Sequence, residues 1–575
     1  MKGTSLSSLC ATALLLVFLL SPLWAARPSE SLLPATTKGY LSVQDVDRLR
    51  QQWEKTELGM LAKDPVMKPF VEDLRRQLES KFAKSEVRLN IKLEDLEGVY
   101  GGEVALAKTQ PGGDSTQHAT VLIVDVTGHL KEARALLEKI DKSLLAQKAK
   151  RTDERIGEVT LVSYTLPKER GETQRQRAFY FIAENQLVAT DHEATARALL
   201  SRFTGESKDV LAEVDAFKKT MARCKKAFGD TEVHLRWFVE PFGLVETMRA
   251  AAGGRKRRGT DMLKVLRHQG FDAIRGIGGF VSFSVEGKEI LHRTFVYAPP
   301  VRASGPRFHL AARMLDFPAS DQMTPQDWVP QQVTNYLTFH WEMQKAFEYS
   351  KTLVDEAAGA PVFDDVMESL KEDPNGPQID LRQDLVAHLG KRVSFFTDYR
   401  LPITPTSERW FLAFEVTNPA IVSRTLDKAM EADPDATKRL VAKHTVWEIK
   451  RKKAPAEVEE LQIEDPGFGE FGEEDSDQED EATPLLEHAA FAVVHGYLMV
   501  ASHLDFMEEV LTKTGRASPW RRPGTTSALI RRLRRWARAS TASASSRGPT
   551  RRTIQTTSFF ARTRCPSRNR CSAPC

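Results

Sequence analysis

Asp95-Leu96-Glu97-Gly98-Val99-Tyr100-Gly101-Gly102-Glu103-Val104-Ala105-Leu106 is the stretch from which the fold is read. It recurs twice. Asp272-Ala273 leads to Gly278-Gly279, Val281 and Phe283, and Asp384-Leu385 leads to Gly390-Lys391, Val393 and Phe395. The spacing from each Asp is the same: six residues to the Gly, nine to the Val, eleven to a large apolar residue. Such a pattern predicts a helical turn ended by glycine, feeding a strand whose side chains alternate between two faces. Three copies in order predict a repeat of one supersecondary unit.

The flanks of each copy fill in the unit. An opening strand is expected at Gly39–Val43, with Ser42 and Asp45 spaced as a capping box for a helix carrying Val46, Leu49 and Trp53. Asp64-Pro65 is expected to start a second helix with Phe70, Leu74, Leu78 and Phe82. The matching openings are Val233–Val239 and Thr334–Trp341. Downstream, Val121–Val126 and Trp410–Val416 read as strands. Thr127 and Thr417-Asn418-Pro419 are the expected starts of the helices after them. Strands at Val159–Tyr164 and Thr445–Lys450 follow, then a hairpin and helix at Ala178–Phe203 and Ala489–Leu511. The middle copy lacks this second half.

The predicted class is therefore α+β, with repeated modules of mainly antiparallel sheet covered by helices on one face. The domain reading is unit one over 33–225, a shorter unit two over 230–330, and unit three over 333–515.

Unit three is expected to carry a disordered acidic insertion at 457–481, with thirteen Asp or Glu and no Lys or Arg. Within it, Asp475-Ser476-Asp477 resembles a calcium loop, but the sixth position is Asp480 rather than Gly and the twelfth is Leu486 rather than Glu.

The two ends differ from the body. Residues 1–25 read as a cleavable secretory signal: Lys2, an apolar run Ala11–Leu20, a break at Ser21-Pro22, and a small residue at Ala25. Ten apolar residues are too few to cross a bilayer of about 30 Å.

From Arg516 onward there are fifteen Arg and no Asp, Glu or Lys. Removing their charge from the overall +4 leaves −11 for residues 1–515, an acidic body that argues against general nucleic-acid binding. The tail 516–575 reads as an aberrant, disordered product of a frameshift. The alternative is a genuine basic tail for anionic polymers. Resequencing the codons for Gly515–Trp520 decides between them.

Of five Cys, only Cys224 lies between the signal and the tail, so no disulfide framework is expected there, and Cys224 reads as a small buried apolar residue.

At Leu33-Pro34-Ala35-Thr36-Thr37, Tyr40-Leu41-Ser42-Val43, Trp53, Leu58-Gly59 and Asp64-Pro65 the chain resembles a class of secreted bacterial proteins built on "domain of unknown function 3352". The likeness extends through Asp95–Leu106 and Val121–Ile140, over most of residues 33–515. It implies an exported bacterial protein. Its shared positions are apolar and turn residues, so it transfers no catalytic residue.

A search for chemistry assigns no catalytic, cofactor-binding or metal residue, and no cofactor. There is no G-x-S-x-G elbow, and Lys513-Thr514-Gly515 has no S-x-x-K to accompany it. Gly276-Ile277-Gly278-Gly279 is not a phosphate loop. No two His lie three or four residues apart. Asp191-His192-Glu193 and His340-Trp341-Glu342 place titratable groups side by side in sequence, where neighbours point apart. Asp95, Asp272 and Asp384 are expected to bond local backbone in turns. Arg255-Lys256-Arg257-Arg258 is a basic loop.

The resulting reading is a secreted or periplasmic non-enzymatic protein that presents its modules as a binding or structural surface to an envelope or extracellular partner, with no transmembrane helix in the mature chain. A hydrolase or other enzyme with a scattered site, and a carrier of lipid or another apolar ligand, are the alternatives.

Overall fold

The computed structural model describes residues 26–84, 93–168, 176–205, 209–253, 260–300, 306–331, 333–374, 376–400, 404, 407–450, 488–513 and 559–560. The expected signal, the basic loop 255–258, the acidic insertion 457–481 and nearly all of the tail lie outside them. The chain forms two compact units. One is drawn from Met1–Lys256 and Arg275–Tyr297, the other mainly from Arg257–Ile274, Ala298–Gln462 and Glu470–Cys575. The fold is α+β, with one antiparallel sheet in each unit.

The first sheet contains β1 (Thr37–Val43), β2 (Val104–Thr109), β3 (Ala119–Asp125), β4 (Lys150–Ile156), β5 (Val159–Thr165), β6 (Arg177–Ala183), β7 (Gln186–Thr190), β8 (Leu235–Val239), β9 (Gly276–Val285) and β10 (Lys288–Tyr297). Their order is β10-β9-β8-β1-β2-β3-β7-β6-β5-β4. The second contains β11 (Asn335–His340), β12 (Leu389–Tyr399), β13 (Glu408–Val416), β14 (Ala436–Val441), β15 (His444–Lys450), β16 (His488–Val494), β17 (Tyr497–Ala501) and, from the tail expected to be disordered, the two-residue β18 (Phe559–Phe560), in the order β14-β15-β16-β17-β13-β12-β11-β18.

Counting from its own first strand, each sheet therefore contains the same seven-strand module, ordered 1-2-3-7-6-5-4. The middle copy contributes only the first three strands, and its β8 pairs antiparallel with β1.

Register agrees as closely as order. The Val nine residues after each Asp faces Val43, Leu235 and Phe339 on the opening strands. Asp95, Asp272 and Asp384 each sit on a short helical turn just before the second strand of their copy. Lys139 pairs with Asp95, and Asp384 accepts from the Asp380 amide at 3.0 Å.

The repeated glycine has a different cause from the left-handed cap expected. Gly101, Gly278 and Gly390 do not have positive φ; Gly98 does, at 75°. A Cβ on Gly101 would stand 2.0 Å from the Thr127 carbonyl oxygen. The position is held small by close backbone approach.

Helices cover the first sheet on both faces, where one was expected. Val121, Ile123, Phe179, Phe181 and Val188 pack under Leu199, Leu200, Phe203 and Phe217. Leu122, Val124, Tyr180 and Leu187 pack under Ala133, Leu136, Ile140 and Leu144 of the helix Leu130–Ala146. β3 (ATVLIVD) is buried at six consecutive positions, which is how a strand with two covered faces reads. Each buried Leu or Ile stabilises by roughly 1.5–3 kcal/mol. In the second sheet Phe396 and Phe411 stack at 4.7 Å and meet Phe506 edge-on.

Two caps differ from expectation. Asp45, not Ser42, caps Val46–Trp53, accepting from the Arg48 amide at 2.8 Å, while Ser42 stays in β1. Thr127 does not cap; its amide and hydroxyl bond Asp125, and the helix starts three residues later. Asn418 does cap Pro419–Glu431.

Cys224 is 2 % exposed, its Sγ 3.6 Å from the Gly278 carbonyl oxygen, and burial pushes its thiol up to about 11. Cys224 in the native protein is accordingly expected to resist thiol reagents at pH 8 and to react after denaturation, read by mass spectrometry of its own peptide so that the other four cysteines do not contribute. Rapid native labelling of Cys224 would contradict this.

Candidate functional site

Of the titratable groups in the runs singled out in the sequence, all but His340, whose buried Nδ1 has no hydrogen-bond partner among the described residues, are engaged in holding the fold. Asp191 accepts from the Thr120 amide at 2.8 Å, and burial raises its carboxyl above the ordinary range. His192 caps Glu193–Thr204, its Nδ1 3.0 Å from the Thr195 hydroxyl. Glu193 pairs with Arg177 and Arg197. Trp341 donates its indole N–H to the Met314 carbonyl at 2.7 Å, and Glu342 pairs with Lys391. Gly276–Gly279 lies inside β9, where a Cβ on Gly276 would strike the Phe238 ring at 2.6 Å. It is packed strand, not a loop around a phosphate.

Two grooves open on the second unit. One is lined by Arg307, Arg313, Glu342, Lys345 and Tyr349, with the Arg313 guanidinium over the Tyr349 ring at 4.1 Å. The other is lined by His268, Gln269, Thr352, Asp355 and Glu356. There His268 Nδ1 lies 2.8 Å from Glu356, and Thr352 donates to Gln269 at 2.6 Å. Hydrogen bonds from Gln269 and His268 hold the Glu356 carboxyl below its ordinary range. Among the described residues, no group of three His, Cys, Asp or Glu is placed to hold a metal ion.

A dense polar cluster lies elsewhere, under the junction of β1 and β8. Tyr40, Ser42 and Gln44 leave one face of the opening strand, and Glu103 stands beside them at the start of β2. The Glu103 carboxylate accepts from Ser29 N (2.9 Å), Ser29 Oγ (2.8 Å), Tyr40 (3.2 Å), Ser42 and Arg236 (3.0 Å). Arg236 comes from β8, directly opposite Ser42. Its guanidinium also grips Glu30 through two bonds of 2.8 and 3.0 Å. The Gln44 amide oxygen faces Arg236 Nε at 2.9 Å. Burial on its own would raise the Glu103 pKa; bonds from Ser42 and Ser29 and the Arg236 charge outweigh it and leave the carboxyl below its ordinary value. Burial likewise pushes the Tyr40 phenol up. Two half-buried carboxylates on the first module thus share one cation from the added strand.

The second sheet has the same cluster with altered charge. Tyr336 and Thr338 replace Tyr40 and Ser42, and Gln326, ten residues before the Tyr, replaces Glu30. Tyr336 donates to Gln326 at 3.0 Å, and Gln326 donates to Ser394 at 2.8 Å and to Tyr497 at 3.2 Å. Arg392 stands where Glu103 stood, eight residues after the repeated Asp. It is 8 % exposed and donates to the Thr324 carbonyl, to Thr338 at 3.4 Å and to Tyr336 at 3.4 Å. Glu415 bonds the Arg392 backbone amide at 3.1 Å, and no described carboxylate reaches the guanidinium.

Sequence reading did not pick out these residues. The signal was present in the repeat itself: Tyr-x-Ser/Thr on the opening strand, Glu or Gln ten residues before the Tyr, and a charge at the eighth position after the Asp. No protein-family profile, curated protein or solved structure matches the chain.

Proposed function

We propose that this chain is an exported, non-enzymatic binding or structural protein of the cell envelope or extracellular space, whose α+β modules join through sheet edges. The observation that carries the reading is the β1–β8 junction. There a half-module adds to a full one by antiparallel strand pairing, with Arg236 locked onto Glu30 and Glu103. Strand addition of this kind gives affinity through main-chain bonds and specificity through alternate side chains. Export rests on the signal pattern and on the resemblance to secreted bacterial proteins. It is compatible with Arg27 being bound into the fold by Glu184 and the Arg202 carbonyl two residues past the expected cleavage site. No helix among the described residues is long and apolar enough to cross a membrane.

The test is capture of partners from the native envelope by the full chain after cross-linking. A reproducible protein partner is the expected outcome; recovery of none after efficient cross-linking removes the reading. Mass spectrometry of exported protein is expected to find Ala26 at the mature N-terminus, and an intact Met1 would contradict it.

The groove at His268 favours a second reading, an enzyme, because an exposed imidazole–carboxylate pair opens there beside a hydroxyl. A hydrolytic activity lost in both His268→Ala and Glu356→Gln would replace the first reading with this one. The carrier of an apolar ligand draws no support from the two grooves, whose walls hold Arg313, Lys345, His268 and Glu356.

A further inference from the structure

We propose that the outer edge of β11 is a docking site for an extended strand of a second polypeptide, paired antiparallel as β8 pairs with β1, and carrying a carboxylate opposite Thr338 that neutralises Arg392. The proposal rests on the binding-protein reading and names the partner chemistry of one of its edges.

The register supports it. Phe339, Val43 and Leu235 occupy one repeat position, since each faces the Val nine residues after the Asp. On β1 the residue before that position, Ser42, is paired with Arg236. On β11 the residue before it is Thr338. A strand added to β11 in the β8 register places its own residue opposite Thr338, next to Arg392.

Charge fixes what that residue is. At the β1 edge the module supplies carboxylates and the added strand a cation. At the β11 edge the module supplies a cation, and Gln326 has replaced the acid Glu30. A nearly buried guanidinium whose bonds are to neutral oxygens retains its desolvation cost until an anion meets it.

Among the described residues, no further strand of this chain is free to take that place. β8 is already paired with β1. Among the described residues the tail pairs with β11 through Phe559 and Phe560, opposite Tyr336 and Asn335, and from Arg516 on it contains no Asp or Glu. A second copy of β11 would bring the uncharged-to-cationic His340 to the position of Arg236, and its helix starts at Met343, only four residues past the register position, against six for Pro241 after Leu235. We assign the strand to a different protein; unchanged affinity of the Arg236→Glu peptide for a variant lacking residues 457–481, the acidic segment outside the described residues, supports this, and a clearly tighter affinity overturns it.

The experiment uses the full chain and three peptides spanning residues 231–241 of this sequence: unchanged, with Arg236→Gln, and with Arg236→Glu. Binding is read by fluorescence titration and by hydrogen exchange over residues 335–340. The same series is run on an F559P/F560P variant, whose tail cannot donate those two amides to the edge. The Arg236→Glu peptide is expected to bind at least about tenfold more tightly than the Gln peptide, with the unchanged Arg peptide weakest, and to slow exchange in β11. The Glu preference is expected to vanish in Arg392→Gln; should that variant not fold, the peptide series alone decides. Equal binding of all three peptides overturns the charge assignment while leaving edge docking and the binding reading in place. No binding of any peptide to either form of the chain overturns the docking site, and the envelope capture still tests the broader reading.

Discussion

Replacing Arg236 by Met is expected to destabilise the first unit by about 3–5 kcal/mol, because Glu30 and Glu103 would remain largely buried without their shared cation. The melting transition of that unit should fall by about 10 °C or more at neutral pH. The sign of the pH dependence follows from Glu103. Its folded pKa lies below the reference 4.5, so the stability it contributes is complete above that value and is lost as pH falls through the lower folded pKa. Unmodified protein should therefore lose stability in this acidic window, and Glu103→Gln should flatten the loss. The penalty of Arg236→Met should shrink there too, as the stranded carboxyls take up protons. Denaturant melts of the three proteins between neutral pH and pH 3 measure all of this. A penalty for Arg236→Met that is small, or that grows on acidification, would mean that the cluster does not bind β8 to β1 electrostatically.

Gly101→Ala is expected to cost about 3 kcal/mol, the upper part of the range for forced overpacking. The added methyl would stand 2.0 Å from a carbonyl oxygen of the backbone, which cannot swing aside as a side chain does. The equivalent Gly390 provides the control. A methyl there meets the Glu415 side chain at 2.7 Å, and that chain is able to move. Gly390→Ala should therefore cost no more than about 1 kcal/mol beyond the loss of the Glu415 bonds to the Lys391 and Arg392 amides. Thermal unfolding of the two variants decides it; equal, small effects would show that the repeated glycine is not required by close approach.

The elements that sequence reading missed have physical causes. β4 (KRTDERI) is exposed at six of its seven positions, and β14 (ATKRLV) at four of six, so neither shows apolar alternation. They lie at the outer end of each sheet, held by one neighbour, where charged residues are the usual protection of an edge. The polar cluster was missed because none of its residues is unusual alone. Ser42, Glu103 and Arg236 become a unit only when β1 has β2 on one side and β8 on the other.

What the sequence determined by itself is what repeats within it. Periodicity at Val104–Leu106, Val281–Phe283 and Val393–Phe395, and the identical spacing from the Asp, are local properties of the chain, and they fix strand, turn and the α+β class. Tertiary structure decided which strands become neighbours, that helices cover both faces of the first sheet, and that the middle copy adds to the first through β8. Those outcomes depend on partners about two hundred residues apart: Ser42 opposite Arg236, Tyr40 opposite Phe238. Pairing at that distance is selected by the burial and charge balance of the assembled sheet, which no local window of sequence contains.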